Sequence, residues 1–341
     1  MEAPQSALKA GMRKIHTAFT EMFGLDYPIV CAPMFLISNE DMVVEASEAG
    51  GLGSFPALNY RSIESYGEAL RKIRARSSRP IGVNIIVNKS NTRQGQDLKI
   101  ALDHGVEMFI TSLGNPKQVI SEAHKNGAKV FCDVTNIEHG KKVQDMGADG
   151  VIAVGAGAGG HAGPVSPLVL LPWLKGELSI PVLAAGGIGH GSQILACLAL
   201  GADGVSVGTR FIASLESPAS QDYKQAIINS TPEDIVLSTK ISGTPASVIN
   251  TDYIQKMGRD LSLPLRLLKD HRLTKKWAVP LIHWLGSKSL EQAAHKATWK
   301  TVWSAGQSVG MVEEVLSVAQ IYRKMVEEFW QEHQRLEGLK G

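Results

Sequence analysis

The sequence predicts an α/β protein built as a (β/α)₈ TIM barrel, with an α-helical lobe inserted after the eighth strand. Eight short apolar runs recur along the first two thirds of the chain, and segments with a helical pattern separate them. Near-continuous apolar runs are typical of strands buried on both faces of a parallel sheet, and alternation with helices indicates βα units. The length of 341 residues accommodates a barrel of about 250 residues together with a lobe.

The strands are predicted where these apolar runs meet polar or glycine-rich breaks. They cover residues 28–33, 51–55, 80–87, 108–112, 129–133, 150–155, 180–185 and 204–208. A short repeat supports the assignment, because Gly-Ala-Asp-Gly-Val stands at 147–151 and again at 201–205, at the start of strands six and eight. We expect Gly147 and Gly201 to end the preceding helices, where the left-handed conformation favours glycine.

The chain after strand eight follows a different pattern. Residues 219–300 show no strong strand signal, and two amphipathic segments lie within 261–285, so we predict a mainly helical substrate or lid lobe over 219–300. Residues 18–218 and 301–341 then form the barrel that binds the cofactor. Apolar residues at helical spacing between 311 and 336 predict a long helix against the barrel wall.

Composition argues against several classes of partner. The chain is 44% hydrophobic and 20% charged with a net charge of +2, so neither nucleic acid nor a membrane is expected as a partner held by charge. Its three cysteines, Cys31, Cys132 and Cys197, lack the spacing of a metal site or a disulfide framework. The N-terminus lacks the apolar segment of a signal peptide. We therefore expect a cytoplasmic protein without a bound metal. The sequence leaves the oligomeric state open, with a homodimer among the alternatives.

Two glycine-rich turns follow consecutive predicted strands. Strand seven runs into Ala-Ala-Gly-Gly-Ile-Gly at 184–189, and strand eight runs into Val-Gly-Thr-Arg-Phe at 207–211. In many barrels the loops after strands seven and eight form a phosphate site, because backbone N–H groups at such turns hold the anion. The alternative is that both are tight turns with no ligand.

The loop after predicted strand six is the richest in glycine. Five of the nine residues from 155 to 163 are glycine, and the loop carries one histidine, His161. A loop of this composition suits a flat ligand packed against bare backbone. Histidine titrates near neutral pH and serves as an acid, a base or a hydrogen-bond donor. The alternative is a structural histidine.

Polar and flexible side chains at other strand ends extend this set. Asn84 interrupts the apolar third strand, and a buried amide needs a partner, which is either a cofactor atom or neighbouring backbone. Asp133 ends strand five, where it contacts the cofactor or caps the following helix. Pro33, Met34 and Phe35 follow strand one and face the same end of the barrel, as ligand contacts or as rim packing.

Taken together, these motifs resemble the nitronate monooxygenase family, the 2-nitropropane dioxygenase-like enzymes, which are also similar to the FMN-type enoyl-acyl-carrier-protein reductases. The matching segments span residues 18–335 and are Ala32-Pro-Met34, Gly82-Val-Asn84, Ala158-Gly-Gly-His-Ala-Gly163, Ala185-Gly-Gly187, Gly208-Thr-Arg-Phe211 and Trp303-Ser-Ala-Gly-Gln307. The resemblance implies non-covalent FMN and a catalytic His161. It implies phosphate contacts from Gly186, Gly187, Gly208 and Thr209, and flavin contacts from Pro33, Met34, Phe35, Asn84, Gly159 and Gly160.

The resemblance also implies the chemistry. In nitronate monooxygenases the flavin takes an electron from an alkyl nitronate, and O₂ completes the conversion to a carbonyl compound and nitrite. One alternative is an NAD(P)H-dependent reductase that acts on an enoyl thioester or a quinone. Another is a barrel that binds a phosphate ligand without catalysis. The chain departs from the pattern QGxEAGGH of many relatives, because Val154 and Gly157 replace the Gln and the Glu.

Overall fold

Eight parallel strands close into a barrel in the computed structural model, which describes residues 13–88, 90–240, 244–258 and 302–339. Each strand overlaps one of the eight predicted runs, so the predicted fold is confirmed. A further two-residue strand, β7 (Gly160–His161), lies outside the barrel. The barrel strands, in order around the ring, are β1 (Ile29–Cys31), β2 (Leu52–Pro56), β3 (Ile81–Ile86), β4 (Met108–Ser112), β5 (Lys129–Val134), β6 (Gly150–Val154), β8 (Val182–Ala185) and β9 (Gly204–Val207).

Helices connect the strands, and local sequence signals set their ends. The side chains of Asn39 and Asn136 cap two helices by accepting hydrogen bonds from backbone N–H groups in the first turn. Gly147 and Gly201 both have φ of +93°, as expected for glycines that end a helix. The α-helices of the described residues are α1 (Ala18–Phe23), α2 (Glu40–Glu48), α3 (Ile63–Arg76), α4 (Gln94–Asp103), α5 (Lys117–Lys125), α6 (Ile137–Asp145), α7 (Pro167–Glu177), α8 (Gly191–Ala199), α9 (Thr209–Ile212), α10 (Gln221–Asn229), α11 (Asp252–Met257) and α12 (Val318–Glu337).

The inside of the barrel is packed at its N-terminal end and polar at its C-terminal end. Phe19 of α1 closes the lower end, with its ring 5.6 Å from that of Phe131 on β5. Phe131 clusters there with buried residues of neighbouring strands, among them Ile110 and Ile152. Side chains two positions further along a strand face the same way. Asp133 therefore points into the C-terminal end of the barrel, which we call the mouth.

The long helix near the C-terminus starts later than predicted. The Ser317 side chain and the Gln320 side chain form a capping box, so α12 begins at Val318 rather than near Met311. Residues 307–311 form a separate 3₁₀ helix. Helix α12 packs against α8 and α2, and its buried Tyr322 hydroxyl donates to the Ile29 carbonyl of β1 at 3.1 Å. The predicted packing against the barrel wall is confirmed.

The segment 219–300, which we expect to be mainly helical, contains two short strands that have no strong signal in the sequence. The lobe contains β10 (Ile235–Ser238) and β11 (Ala246–Ile249), and these pair antiparallel with each other. Strand β11 also pairs antiparallel with β7 of the barrel loop. Each strand has four residues or fewer, too short to show a period, and the pairing depends on residues distant in sequence. The amphipathic segments predicted within 261–285 lie outside the described residues.

Candidate active site

Three loops meet at one side of the mouth. They follow β6, β8 and β9. The loops after β6 and β8 touch through their glycines, and residues 306 and 307 join the loop after β9 to the loop after β6. A Cβ atom at Gly186, where φ is +106°, would lie 2.9 Å from the Ala158 nitrogen and 3.0 Å from the Gly155 oxygen. A Cβ atom at Gly159 would lie 2.9 Å from the carbonyl carbon of Ala305. Neither position has room for a side chain, so bare backbone packs against bare backbone here.

The turn at 186–189 offers hydrogen-bond donors to the mouth. Within the part of the chain that is described, the N–H groups of Gly187 and Ile188 donate to no other group. Gly187 has φ of +77°, and a Cβ atom there would meet nothing within 4 Å. The Gly189 N–H differs, because it donates to Gln193 Oε1 at 2.7 Å. The end of β8 therefore has two backbone donors without a partner in the described part of the chain.

The turn at 208–211 adds a hydroxyl from the adjacent strand. Thr209 Oγ1 accepts a hydrogen bond from the Gly306 N–H at 2.9 Å. Its own proton is then available to donate to a ligand. A Cβ atom at Gly208 would have Met34 Sδ as its nearest neighbour, at 3.7 Å. A phosphate fits this arrangement of donors and small residues, as expected for the loops after the last two barrel strands.

His161 stands at the end of the glycine loop, and the lobe fixes its backbone. His161 is paired in register with Ala246, and Gly160 is paired with Ser247. The residue is exposed. Glycine-rich loops are mobile unless pairing holds them, so this short sheet defines where the imidazole can reach. The sheet also connects the candidate catalytic residue directly to the lobe.

Asn84 faces the mouth from β3 and is buried. Its amide nitrogen donates to the Ile110 carbonyl at 3.1 Å and to Ser112 Oγ at 3.3 Å. Neighbouring groups of β4 thus satisfy the amide nitrogen, and the amide oxygen is left for a donor on a ligand. Both partners considered from the sequence, a ligand and neighbouring backbone, are compatible with this geometry.

Asp133 supplies a carboxyl group inside the mouth. It is exposed to the space enclosed there, while the surrounding protein desolvates it and raises its pKa to about 7. The Asn136 side chain caps the next helix, so the alternative role of Asp133 as that cap is excluded. A group with this pKa carries or releases a proton near neutral pH.

The loop after β1 is held in a strained conformation at the rim. Leu36 has φ of +60°, a conformation that a side chain with a Cβ atom adopts at a cost. Asn59 stabilises it, because its Oδ1 accepts from the Leu36 N–H at 2.7 Å and its Nδ2 donates to the carbonyls of Met34 and Ser38. Phe35 is 55% exposed as a result. Sequence reasoning missed Asn59, because it lies on a separate 3₁₀ turn.

Comparison with known proteins identifies the family. The sequence model described as nitronate monooxygenase matches residues 16–96 and 88–328, which is nearly the whole chain. The chain belongs to the nitronate monooxygenase family. A probable nitronate monooxygenase of Staphylococcus saprophyticus is 30% identical over 356 residues, covering 90% of this chain and 96% of the relative. The family and the related structures are flavin enzymes, so this member is an oxidoreductase.

Other similar proteins are named for different activities. A (3aS,4S,5R,7aS)-5-hydroxy-7a-methyl-1-oxo-octahydro-1H-indene-4-carboxyl-CoA dehydrogenase of Rhodococcus jostii is 34% identical over 72% of this chain and 69% of its own. FabK of Thermotoga maritima superposes with a TM-score of 0.81 at 29% identity, over 95% of this chain and 99% of FabK. The nitroalkane oxidase of Streptomyces ansochromogenes gives 0.79 at 26% identity, over 94% and 100%. The family therefore contains flavin oxidoreductases that act on different substrates.

The structure brings most of the candidate residues of this family member to the mouth. The loops of Gly159 and of Gly186 and Gly187 are in direct contact, and the turn of Gly208 and Thr209 is joined to the Gly159 loop through Gly306. Asn84 faces the mouth from β3 and Asp133 faces it from β5, the neighbour of β6, and no hydrogen bond joins either residue to the glycine turns within the described residues. No helix of the described part is long and apolar enough to cross a membrane.

Proposed function

We propose that this protein is an FMN-dependent nitronate monooxygenase, which converts an alkyl nitronate and O₂ into a carbonyl compound and nitrite. One observation carries the proposal. His161 ends a glycine loop that packs, backbone to backbone, against the Gly186 turn, which supports a site that combines an imidazole with the donors of a phosphate site. A phosphate-bearing planar cofactor accounts for both features with a single ligand.

The residues present would hold FMN as follows. Gly186, Gly187, Gly208 and Thr209 would contact the phosphate, through backbone N–H groups and the Thr209 hydroxyl. The ring system would be flanked by Pro33, Met34, Phe35, Asn84, Asp133, Gly159 and Gly160. When bound, FMN supplies the acceptor for electrons from the substrate.

The remaining work falls to the side chains of the mouth. His161 would donate a hydrogen bond to a nitronate oxygen, or remove the proton from the carbon of a neutral nitroalkane before oxidation. A fully ionised carboxylate at Asp133 would repel an anionic nitronate. With its pKa raised to about 7, the Asp133 carboxyl is about half protonated at neutral pH, which reduces that repulsion.

A second function is favoured by the apolar rim, which we define as Phe35, Leu36 and Leu113. These side chains are 55%, 40% and 58% exposed, and Val154 adds an apolar wall inside the mouth. An apolar rim suits an acyl chain better than a small anion. The similarity to the carboxyl-CoA dehydrogenase and to FabK supports a thioester substrate with an acyl chain. NAD(P)H-dependent reduction of an enoyl thioester or a quinone is therefore the second candidate.

One anaerobic experiment separates the two. The purified protein is expected to carry FMN, and a protein that takes up no FMN would contradict both functions. The FMN-loaded protein is mixed without oxygen with propionate 3-nitronate, and separately with NADH and with NADPH. Fast bleaching of the flavin absorption by the nitronate alone supports the first function, and fast bleaching by a nicotinamide alone supports the second.

A further inference from the structure

The segment 305–307 forms an additional side of the phosphate site. Its backbone is wedged between the glycine loop and the turn after β9. The Gln307 N–H donates to the Gly157 carbonyl at 2.9 Å, and the Gly306 N–H donates to Thr209 Oγ1 at 2.9 Å. A Cβ atom at Gly306 would lie 2.3 Å from the Gly157 oxygen. The position of Gln307 relative to both loops is therefore fixed by its own backbone.

The Gln307 side chain lies over the glycines that face the mouth. A Cβ atom built on Gly157 would lie 3.2 Å from Gln307 Oε1 and 3.5 Å from the Gly187 nitrogen. Gln307 Oε1 and the Gly187 N–H thus border the same small space. Gln307 is exposed, and no hydrogen bond engages its amide within the described residues. The two ends of an amide exchange places by rotation about the terminal torsion, so the NH₂ group reaches the same position.

We propose that Gln307 binds the phosphate of FMN, as a side-chain donor beside the backbone donors of Gly187 and Ile188. The proposal rests on the proposed FMN site. A phosphate dianion accepts several hydrogen bonds. A neutral amide donates one of them without placing a negative charge beside the phosphate. The side chain occupies the space next to position 157, where this chain has no side chain of its own. Gln307 therefore supplies a polar group that the glycine loop lacks.

The test measures flavin affinity rather than turnover. Flavin-free protein is titrated with FMN and with riboflavin, which lacks the phosphate, and the quenching of flavin fluorescence gives each Kd. The variants are Gln307→Ala, Gln307→Glu and the control Gln118→Ala, an exposed glutamine on α5. Loss of one hydrogen bond to a charged group predicts an FMN Kd about 10- to 100-fold higher for Gln307→Ala. Gln307→Glu is expected to lose more affinity for FMN than Gln307→Ala, because it places a carboxylate against the phosphate.

Riboflavin distinguishes the phosphate from the ring. We expect its Kd to stay within about twofold of wild type in all three variants, and the thermal midpoint of each flavin-free variant to match wild type. An unchanged FMN Kd in Gln307→Ala would overturn the proposal, and so would an equal loss of riboflavin affinity. Wild-type protein that binds neither flavin would instead contradict the FMN site on which the proposal rests.

Discussion

Replacing Gly186 by alanine tests the close packing of the glycine turns. The positive φ of +106° costs an alanine about 1–2 kcal/mol. Its Cβ atom would lie 2.9 Å and 3.0 Å from backbone atoms of the glycine loop, and such overpacking costs about 1–3 kcal/mol more. The sum is about 2–5 kcal/mol, which is a large part of a typical unfolding free energy of about 5–15 kcal/mol. We also expect weaker FMN binding, because the turn must move away from the loop.

The matched control is Gly105→Ala. Gly105 also has a positive φ, +66°, but a Cβ atom there would meet nothing within 4 Å, so only the conformational cost of about 1–2 kcal/mol applies. Urea unfolding followed by tryptophan fluorescence compares the two variants without flavin, and fluorescence titration compares their Kd for FMN. Equal destabilisation of the two variants, with an FMN affinity unchanged in Gly186→Ala, would refute the packing argument.

Two further predictions concern the ionisable groups of the mouth. His161→Ala is expected to lower turnover by about 10²-fold or more while FMN binding persists, whereas the exposed His139→Ala should match wild type; full activity in His161→Ala would remove its catalytic role. Asp133 has a pKa raised from 3.8 to about 7, so the folded state retains a proton that the unfolded state releases, and stability falls as pH rises from about 4 to 7. The full shift corresponds to about 4 kcal/mol, and because the carboxyl also faces the solvent in the mouth we expect about 1–2 kcal/mol. Asp133→Asn should remove this fall in urea unfolding free energy across that pH range, and an identical pH profile in the variant would show that the carboxyl is not desolvated.

The barrel and the glycine turns could be predicted from sequence because their signals are local. Each apolar run predicts a strand that is buried on both faces. Gly147 and Gly201 indicate helix ends, because few other residues adopt the left-handed conformation found there. Gly186 and Gly187 stand directly after a strand, which places them at the mouth. In each case the physical requirement acts on a few adjacent residues.

Long-range contacts produced the features that sequence reasoning missed. Strands β10 and β11 form by pairing with each other, and β11 also pairs with Gly160–His161. A segment of four residues is too short to indicate a partner that lies so far away in the sequence. Asn59 clamps a loop more than twenty positions earlier. Gln307 belongs to a segment that carries the family resemblance, and its place beside Gly157 depends on packing between distant loops. The family resemblance includes Gln307, but it assigns this residue no function.

Anaerobic reduction of the FMN-loaded protein by propionate 3-nitronate tests the central claim most directly. The proposed function predicts that the nitronate bleaches the flavin absorption rapidly in wild type and about 10²-fold more slowly in His161→Ala. NADH and NADPH should then react slowly with both proteins. A flavin that stays oxidised with the nitronate and is bleached rapidly by a nicotinamide would contradict nitronate oxidation.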